Sequence, residues 1–253
     1  MKNIILLALG GVLLLGSCKK EKCCEDTIKN KSKLAISFEP KFNNMTLQMN
    51  TFGHTNIHDE DVSFNSWGII MSDVSLIKND NSKVKLGDGY MYVNLASANP
   101  SFSFSDIPDG QYKGISYNIG VDSTTNHSDP TVWGPTHPLN ISYTGMHWGW
   151  AGGYIFHTME GKYKPKGSTT ESGFSYHTAT DILLSSHTYL MNFSLNGEES
   201  KTATIEANAE KLFENGLSLT TMGTNHSGSN EQKNVMQTLI GNMKNVYILT
   251  SVN

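Results

Sequence analysis

Ile115, Tyr117, Ile119 and Val121 alternate with Gly114, Ser116, Asn118 and Gly120. A side-chain period of two sends one set to each face of an extended chain, so this stretch reads as a half-buried β-strand. The same alternation runs through Tyr189, Met191, Phe193 and Leu195, and through Ala203, Ile205 and Ala207 set against Thr202, Thr204 and Glu206. Shorter strands are predicted over residues 33–38, 67–77, 83–86, 90–95 and 101–104. Gly87-Asp88-Gly89 and Pro108-Asp109-Gly110 supply turns between such runs. Many short strands at this spacing predict an antiparallel sandwich or barrel. Helical periodicity appears only late. Residues 210–215 form about one turn, and Ser229-Asn230-Glu231-Gln232 has the capping-box pattern. It opens a stretch in which Val235, Met236, Leu239, Ile240 and Met243 share one face. Residues 246–250 then close the chain as a strand.

Between Asp122 and Gly161 the period is lost, and Gly, Pro, Asn, His and Trp accumulate. A loop of that length inside a compact domain is usually functional or disordered, and its aromatic content argues for order. It is expected to fold over one end of the sheets and carry the site. No internal repeat or linker interrupts the body, so one domain is expected over residues 33–253.

The first residues follow a different logic. Lys2 precedes an apolar run from Ile4 to Leu15, and Leu15-Gly16-Ser17-Cys18 closes it. A charged start, a short apolar stretch and small residues before a cut site describe a secretory signal. The run is too short for a bilayer span, which needs about 20 apolar residues. Leu, two small residues and Cys form the bacterial lipoprotein processing pattern, so residues 1–17 read as a signal and Cys18 as the lipidated residue. Lys19 is not the Asp of inner-membrane retention, which favours an outer-membrane lipoprotein facing the periplasm or the cell surface. Residues 18–32 are charged and poor in large apolar groups, the composition of a tether. The tether holds Cys23 and Cys24, a pair read either as incidental or as a Cu(I) or redox site; the body has no cysteine. The net charge of −4 and the absence of a basic cluster in the body give nucleic-acid binding no support. Hydrolase elbows, His-Glu-x-x-His, phosphate loops and Cys-x-x-Cys are also absent from the sequence.

The irregular segment carries an ordered series of steps. Gly120-Val121-Asp122 leads to Asn126-His127-Ser128-Asp129-Pro130, then His137-Pro138-Leu139-Asn140. Gly145-Met146-His147-Trp148-Gly149-Trp150 and Gly153-Tyr154-Ile155-Phe156 follow, with Glu160-Gly161 behind. This series resembles the MbnP-like copper-binding proteins, relatives of the methanotroph CorA and MopE copper proteins. The turn Pro108-Asp109-Gly110-x-Tyr112, the strand Phe174-Ser175-Tyr176-His177 and the late helix with Asn242 are similar as well.

The resemblance implies an all-β fold, an antiparallel β-sandwich of Ig-like or jelly-roll-like kind with a long inserted loop and a short C-terminal helix. It also implies a copper binder in the envelope with no turnover of its own, serving copper acquisition, storage or delivery. In characterised relatives a tryptophan is oxidised to kynurenine by a dihaem cytochrome c peroxidase-like partner of MbnH type, and the modified residue helps bind copper. A TonB-dependent transporter is a second candidate partner. Carried over by motif, the metal candidates are His127, His177 and His226, and the oxidised tryptophan is Trp148 or Trp150. Imidazole suits copper, although ligand type alone does not exclude zinc. His137 and His147 lie in the same block, and His147 stands where the family commonly has an aromatic. His54 and His58, near Asp59, Glu60 and Asp61, read as a solvated loop or a separate surface site. His157 and His187 read as ordinary strand positions. The rival class is a surface lipoprotein that binds glycan or protein on a platform of Trp133, Trp148 and Trp150.

Overall fold

The structure, a computed structural model, describes residues 31–149, 152–226 and 230–253. The expected signal, Cys18, the Cys23–Cys24 pair, Trp150 and the Ser229 cap lie outside the described residues. The strands in chain order are β1 (Lys31–Phe42), β2 (Met45–Thr46), β3 (His54–Thr55), β4 (Asp61–Lys78), β5 (Lys83–Lys85), β6 (Met91–Asn94) and β7 (Ser101–Pro108). They continue with β8 (Gly110–Ile119), β9 (Ile155–Lys164), β10 (Ser172–Ala179), β11 (Ser185–Leu195), β12 (Ser200–Asn208) and β13 (Tyr247–Val252). Four α-helical segments interrupt them: α1 (Ser123–Asn126), α2 (Ile141–Thr144), α3 (Leu219–Met222) and α4 (Asn230–Val246).

Two sheets result, and neither closes into a barrel. One runs β13-β12-β1-β2, with β7 also on β1; the other runs β10-β9-β4-β8-β11, with β3, β5 and β6 on β4. β4 is the hub, pairing with β9 over its first half and with β8 over its second. All ladders are antiparallel except β1–β12, which is parallel with Ile36 beside Ala203 and Phe38 beside Ile205. Alternation along β1 buries Leu34, Ile36 and Phe38, which meet Val62, Phe64, Ile115 and Met159 of the other sheet in one core. Each such side chain stabilises the fold by about 1.5–3 kcal/mol through burial.

Several expected bounds shift. β1 opens at Lys31, so the last two residues assigned to the tether belong to the sheet, and Ser32 is fully buried. The irregular segment ends at Tyr154 rather than Gly161, because β9 begins at Ile155. Residues 155–159 are buried without interruption, so the period of two disappears there. The short helix expected over 210–215 is a 3-10 turn, Ala209–Phe213, and the last strand starts one residue later than expected. α4 buries Met236, Leu239, Met243 and Val246 and packs on that 3-10 turn. Asn242 is fully buried there, where its Nδ2 donates to the carbonyls of Leu212 (3.0 Å) and Glu214 (2.7 Å).

Candidate functional site

The site grows from the outer edge of the larger sheet. In β10, Phe174 and Tyr176 face the core, so Ser175 and His177 face outward. The register opposes Ser175 to Glu160 and His177 to Thr158 on β9, which puts Glu160, Ser175 and His177 on one surface. His177 Nε2 lies 2.6 Å from Glu160 Oε1. Ser175 Oγ donates to Glu160 Oε1 at 3.4 Å and lies 3.3 Å from His177 Nε2.

A strap before α4 adds the next group. Asn225 makes a parallel bridge to Tyr176, accepting the His177 N–H at 3.0 Å and donating to the Ser175 carbonyl at 2.8 Å. Its neighbour His226 thereby reaches the same surface. The His177 and His226 rings stack at 4.7 Å and 9°, and His226 Nε2 lies 3.2 Å from Ser175 Oγ. Burial lowers the His226 pKa below the ordinary imidazole value, His177 pushes it the same way, and Glu160 opposes both.

Trp148 arrives on a tight hairpin. Its N–H donates to Gly153 O at 3.0 Å, and Ile155 N–H donates to Met146 O at 3.1 Å. The indole stands 6.0 Å from the His177 ring and 6.1 Å from the His226 ring, and it is 40% exposed. Gly152 permits this close turn, since a Cβ there would meet Trp148 Cβ at 2.6 Å.

Most of the motif residues build the support for that hairpin. Val121, Leu139, Met146, Tyr154, Ile155 and Phe156 form a small second core with Ile70. Asn126 is buried; its Oδ1 accepts the Tyr154 N–H at 2.8 Å and its Nδ2 donates to Asp181 Oδ1 at 2.8 Å. Asp122 and Asn140 cap α1 and α2, and Asp129 caps the Pro130–Val132 turn. Leu139 O accepts the Tyr154 hydroxyl at 2.9 Å.

The expected meeting of His127 with His177 is not what the contacts show. His127 ends α1, and its Nε2 lies 3.1 Å from Asp181 Oδ2. Hydrogen bonds from Ser123 and Asn126 hold Asp181 below the usual carboxylate range, so a fixed anion draws the ring there. His226, third among the candidates, is the one that meets His177. His137 is a clamp: it stacks on Trp133 at 4.1 Å and 10°, its Nδ1 accepts the Leu139 N–H, and its Nε2 reaches Asp88. His147 accepts the Gly149 N–H on Nδ1 and packs edge-on to Tyr154. His54 stacks on Phe42, and His58 donates to Phe213 O, while the neighbouring Glu60 accepts from the backbone of α3, so no shared cation site forms there. His157 is more than a strand position. It is fully buried, and its Nε2 accepts the indole N–H of Trp67 at 3.0 Å. Glu160 and Ser175 entered the sequence reading only as parts of motifs; their convergence with His177 depends on the β9–β10 register.

The donor set of two imidazoles and a carboxylate fits a borderline cation such as Cu(II) or zinc. The stacked rings set the limit. An imidazole lone pair lies in the ring plane, so planes 9° from parallel do not aim at one point. Accordingly, no three His, Cys, Asp or Glu side chains among the described residues are arranged to hold an ion as they stand. Shared ligation would require at least one ring to turn, which for exposed His226 means giving up its contact with Ser175, a cost of about 1 kcal/mol.

The family model described as MbnP matches residues 31–237. Among solved structures, MbnP from Methylosinus trichosporium is similar with a TM-score of 0.50 and 16% identity, over 73% of this chain and 78% of that one. At that identity the likeness speaks for the fold. No curated protein matches the chain.

Proposed function

This chain belongs to the MbnP family, and from that premise we propose that it binds copper as cargo through His177 and His226 beside Trp148. One observation carries the reading: imidazoles 49 positions apart in the chain stack within 4.7 Å of each other, each about 6 Å from the same half-exposed indole. Indole is a poor ligand because its nitrogen lone pair belongs to the ring. Opening the ring by cleavage of C2–C3 with addition of two oxygen atoms, then losing C2 as formate, leaves an aryl amine and a ketone able to meet a metal. A dihaem peroxidase-like partner would supply that oxidation from peroxide; the candidates to receive it are Trp148, which stands beside both imidazoles, and Trp150, which lies outside the described residues. The reading makes the protein a carrier or store rather than an enzyme. It sits on the outer membrane through acylated Cys18, facing the periplasm or the surface. A TonB-dependent transporter is a further candidate partner.

The aromatic-platform reading has less support, since His137 covers one face of Trp133. Equilibrium copper titration of the wild type with His177→Ala, His226→Ala and His127→Ala tests the proposal. The first two changes are expected to weaken binding at least tenfold and the third less than threefold. Equal affinities in all four proteins would remove the site. Peptide mapping of the 146–154 segment after exposure to the haem partner tests the modification, with unaltered Trp148 counting against it.

A further inference from the structure

We propose that a cleft on the outer face of the larger sheet, lined by Asn50, Phe52, Ser63, Asn65, Lys162 and Glu171, binds a neutral sugar. The site is separate from the Trp148 surface and independent of the copper reading. Its floor is one rung of the sheet, where the register sets Ser63 of β4 beside Lys162 of β9, and Lys162 beside Gly173 of β10. Val62, Phe64 and Phe174 take the core positions on these strands, so the rung faces outward. A Cβ at Gly173 would meet nothing nearer than the Gly161 carbonyl at 3.9 Å, so the rung ends in bare backbone. A hydroxyl, an aliphatic stem and a glycine keep that floor low. Phe52 stands in one wall, on the loop before β3, and Glu171 in the other, just before β10. The Asn50 N–H donates to Phe64 O at 2.7 Å, which pins the first wall to β4. The cleft holds about 330 Å³, within the range of roughly 300–1,000 Å³ common to small-molecule sites.

Ser63 points to a ligand. The residue is only 7% exposed, yet its hydroxyl makes no hydrogen bond among the described residues. Buried hydroxyls normally have a partner, and this one lies open only to the cleft. The side-chain amides of Asn50 and Asn65 make no hydrogen bond among the described residues either. Each presents a donor and an acceptor in one plane.

Charge decides the ligand class. Lys162 Nζ lies 3.0 Å and Lys164 Nζ 3.5 Å from the Glu171 carboxylate, and Lys164 also sits 3.9 Å above the Phe52 ring. An anion would compete with Glu171 for these ammonium groups, and a cation would compete with them for Glu171. A neutral ligand rich in hydroxyls competes with neither. It can accept from Lys162, donate to Glu171, and do both with Ser63 and the two amides. Vicinal hydroxyls of a pyranose match the paired donor and acceptor of a planar amide, and its C–H face suits the apolar edge of Phe52.

The test screens the full-length protein by saturation-transfer NMR against maltose, lactose, mannobiose and chitobiose, with galacturonic acid as an anionic probe. Affinities follow from chemical-shift titration of wild type, Ser63→Ala, Asn65→Ala and Trp148→Ala, with circular dichroism and thermal melts to confirm folding. At least one neutral sugar should bind. Ser63→Ala, which removes only the hydroxyl, and Asn65→Ala, on an exposed position, should each weaken it by about fivefold, the scale of one lost hydrogen bond. Trp148→Ala should leave the sugar affinity within twofold of wild type. Absence of transfer to every neutral sugar would overturn the proposal, as would tighter binding of galacturonic acid. A loss confined to Trp148→Ala would move the sugar to the indole surface and overturn the cleft.

Discussion

The buried pair Trp67–His157 shows how one side chain can tie stability to pH. The indole N–H donates to His157 Nε2 at 3.0 Å, which requires the neutral imidazole, and His157 Nδ1 has no partner among the described residues. Burial, with a smaller push from His177, drives the His157 pKa down to about 3 from an ordinary 6.5. His187, buried against Tyr117, is lowered to about 4 by the same desolvation. A base depressed in the folded state binds its proton more readily when unfolded. Its contribution is therefore complete above about pH 6.5 and is lost as pH falls toward 3, on the order of a few kcal/mol for His157. Glu210 acts with the opposite sign: burial raises its carboxyl to about 7, so its contribution fades as pH rises from 4.5 to 7. The wild-type pH dependence is a difference of these effects, and a single variant separates them. His157→Gln keeps an acceptor for Trp67 and cannot titrate. Urea unfolding at pH 7.5 and pH 4.5 should show a smaller acid loss in the variant than in the wild type. Parallel losses would mean that His157 is not the group responsible.

At the scale of elements, the strands that sequence makes legible are those with one face on the core. β11 and β12 carry the period of two because their outer faces meet solvent, whereas β8 keeps it in residue type alone, since residues 114–117 are all buried. β9 hides its period where Phe156 turns into the second core and His157 into the first, so the chain reads as loop to Gly161. The parallel pairing of β1 with β12 joins residues more than 160 positions apart, a closure that no local signal announces. The site follows the same rule. Trp148 and His177 are legible as motif residues, but the strap that lays Asn225 against Tyr176 is a tertiary event, and so is the exchange of His127 for His226 as the partner of His177. The motif glycines become intelligible only with coordinates. Gly120 has φ +100, and a Cβ there would enter the Phe156 ring at 2.3 Å. Gly152 faces Trp148 Cβ, and this gives the prediction at this scale. Gly152→Ala should displace the Trp148 hairpin while both sheets persist, with unfolding free energy lower by about 1–3 kcal/mol, the usual cost of an added methyl without room. Two-dimensional NMR should show the Trp148 indole and the His177 and His226 rings shifted, with core methyls of Ile36 and Ile115 unmoved. Unshifted ring signals would show that the hairpin absorbs the methyl elsewhere.

For the whole molecule, the anchor and the site are separable in physical terms. The residues proposed to bind copper come from β9, β10, the hairpin around Trp148 and the strap at 224–226, all of them after the start of β1 at Lys31. Ser32 Oγ donates to Asp109 at 2.7 Å, Lys33 N–H donates to Glu199 O at 2.8 Å, and β1 is laced to β7 and β12, so the entry point of the chain is fixed by the sandwich itself. The proposed lipid on Cys18 would therefore act on where the protein resides and not on the proposed copper site. Acyl chains contribute about 0.8 kcal/mol per buried methylene, and two or more of them hold a protein at a bilayer where a single chain gives only reversible binding. Cys18→Ala should thus abolish radiolabelled palmitate incorporation and move the protein from the detergent phase to the aqueous phase on Triton X-114 partition. Copper affinity of the same variant should stay within twofold of the lipidated protein, because the residues proposed to bind it all belong to the body from Lys31 onward. A copper affinity that falls with the loss of Cys18 would instead draw the tether, with Cys23 and Cys24, into the site, and the nitrogen–oxygen donor set argued from the sheet edge would have to give way to one containing sulfur.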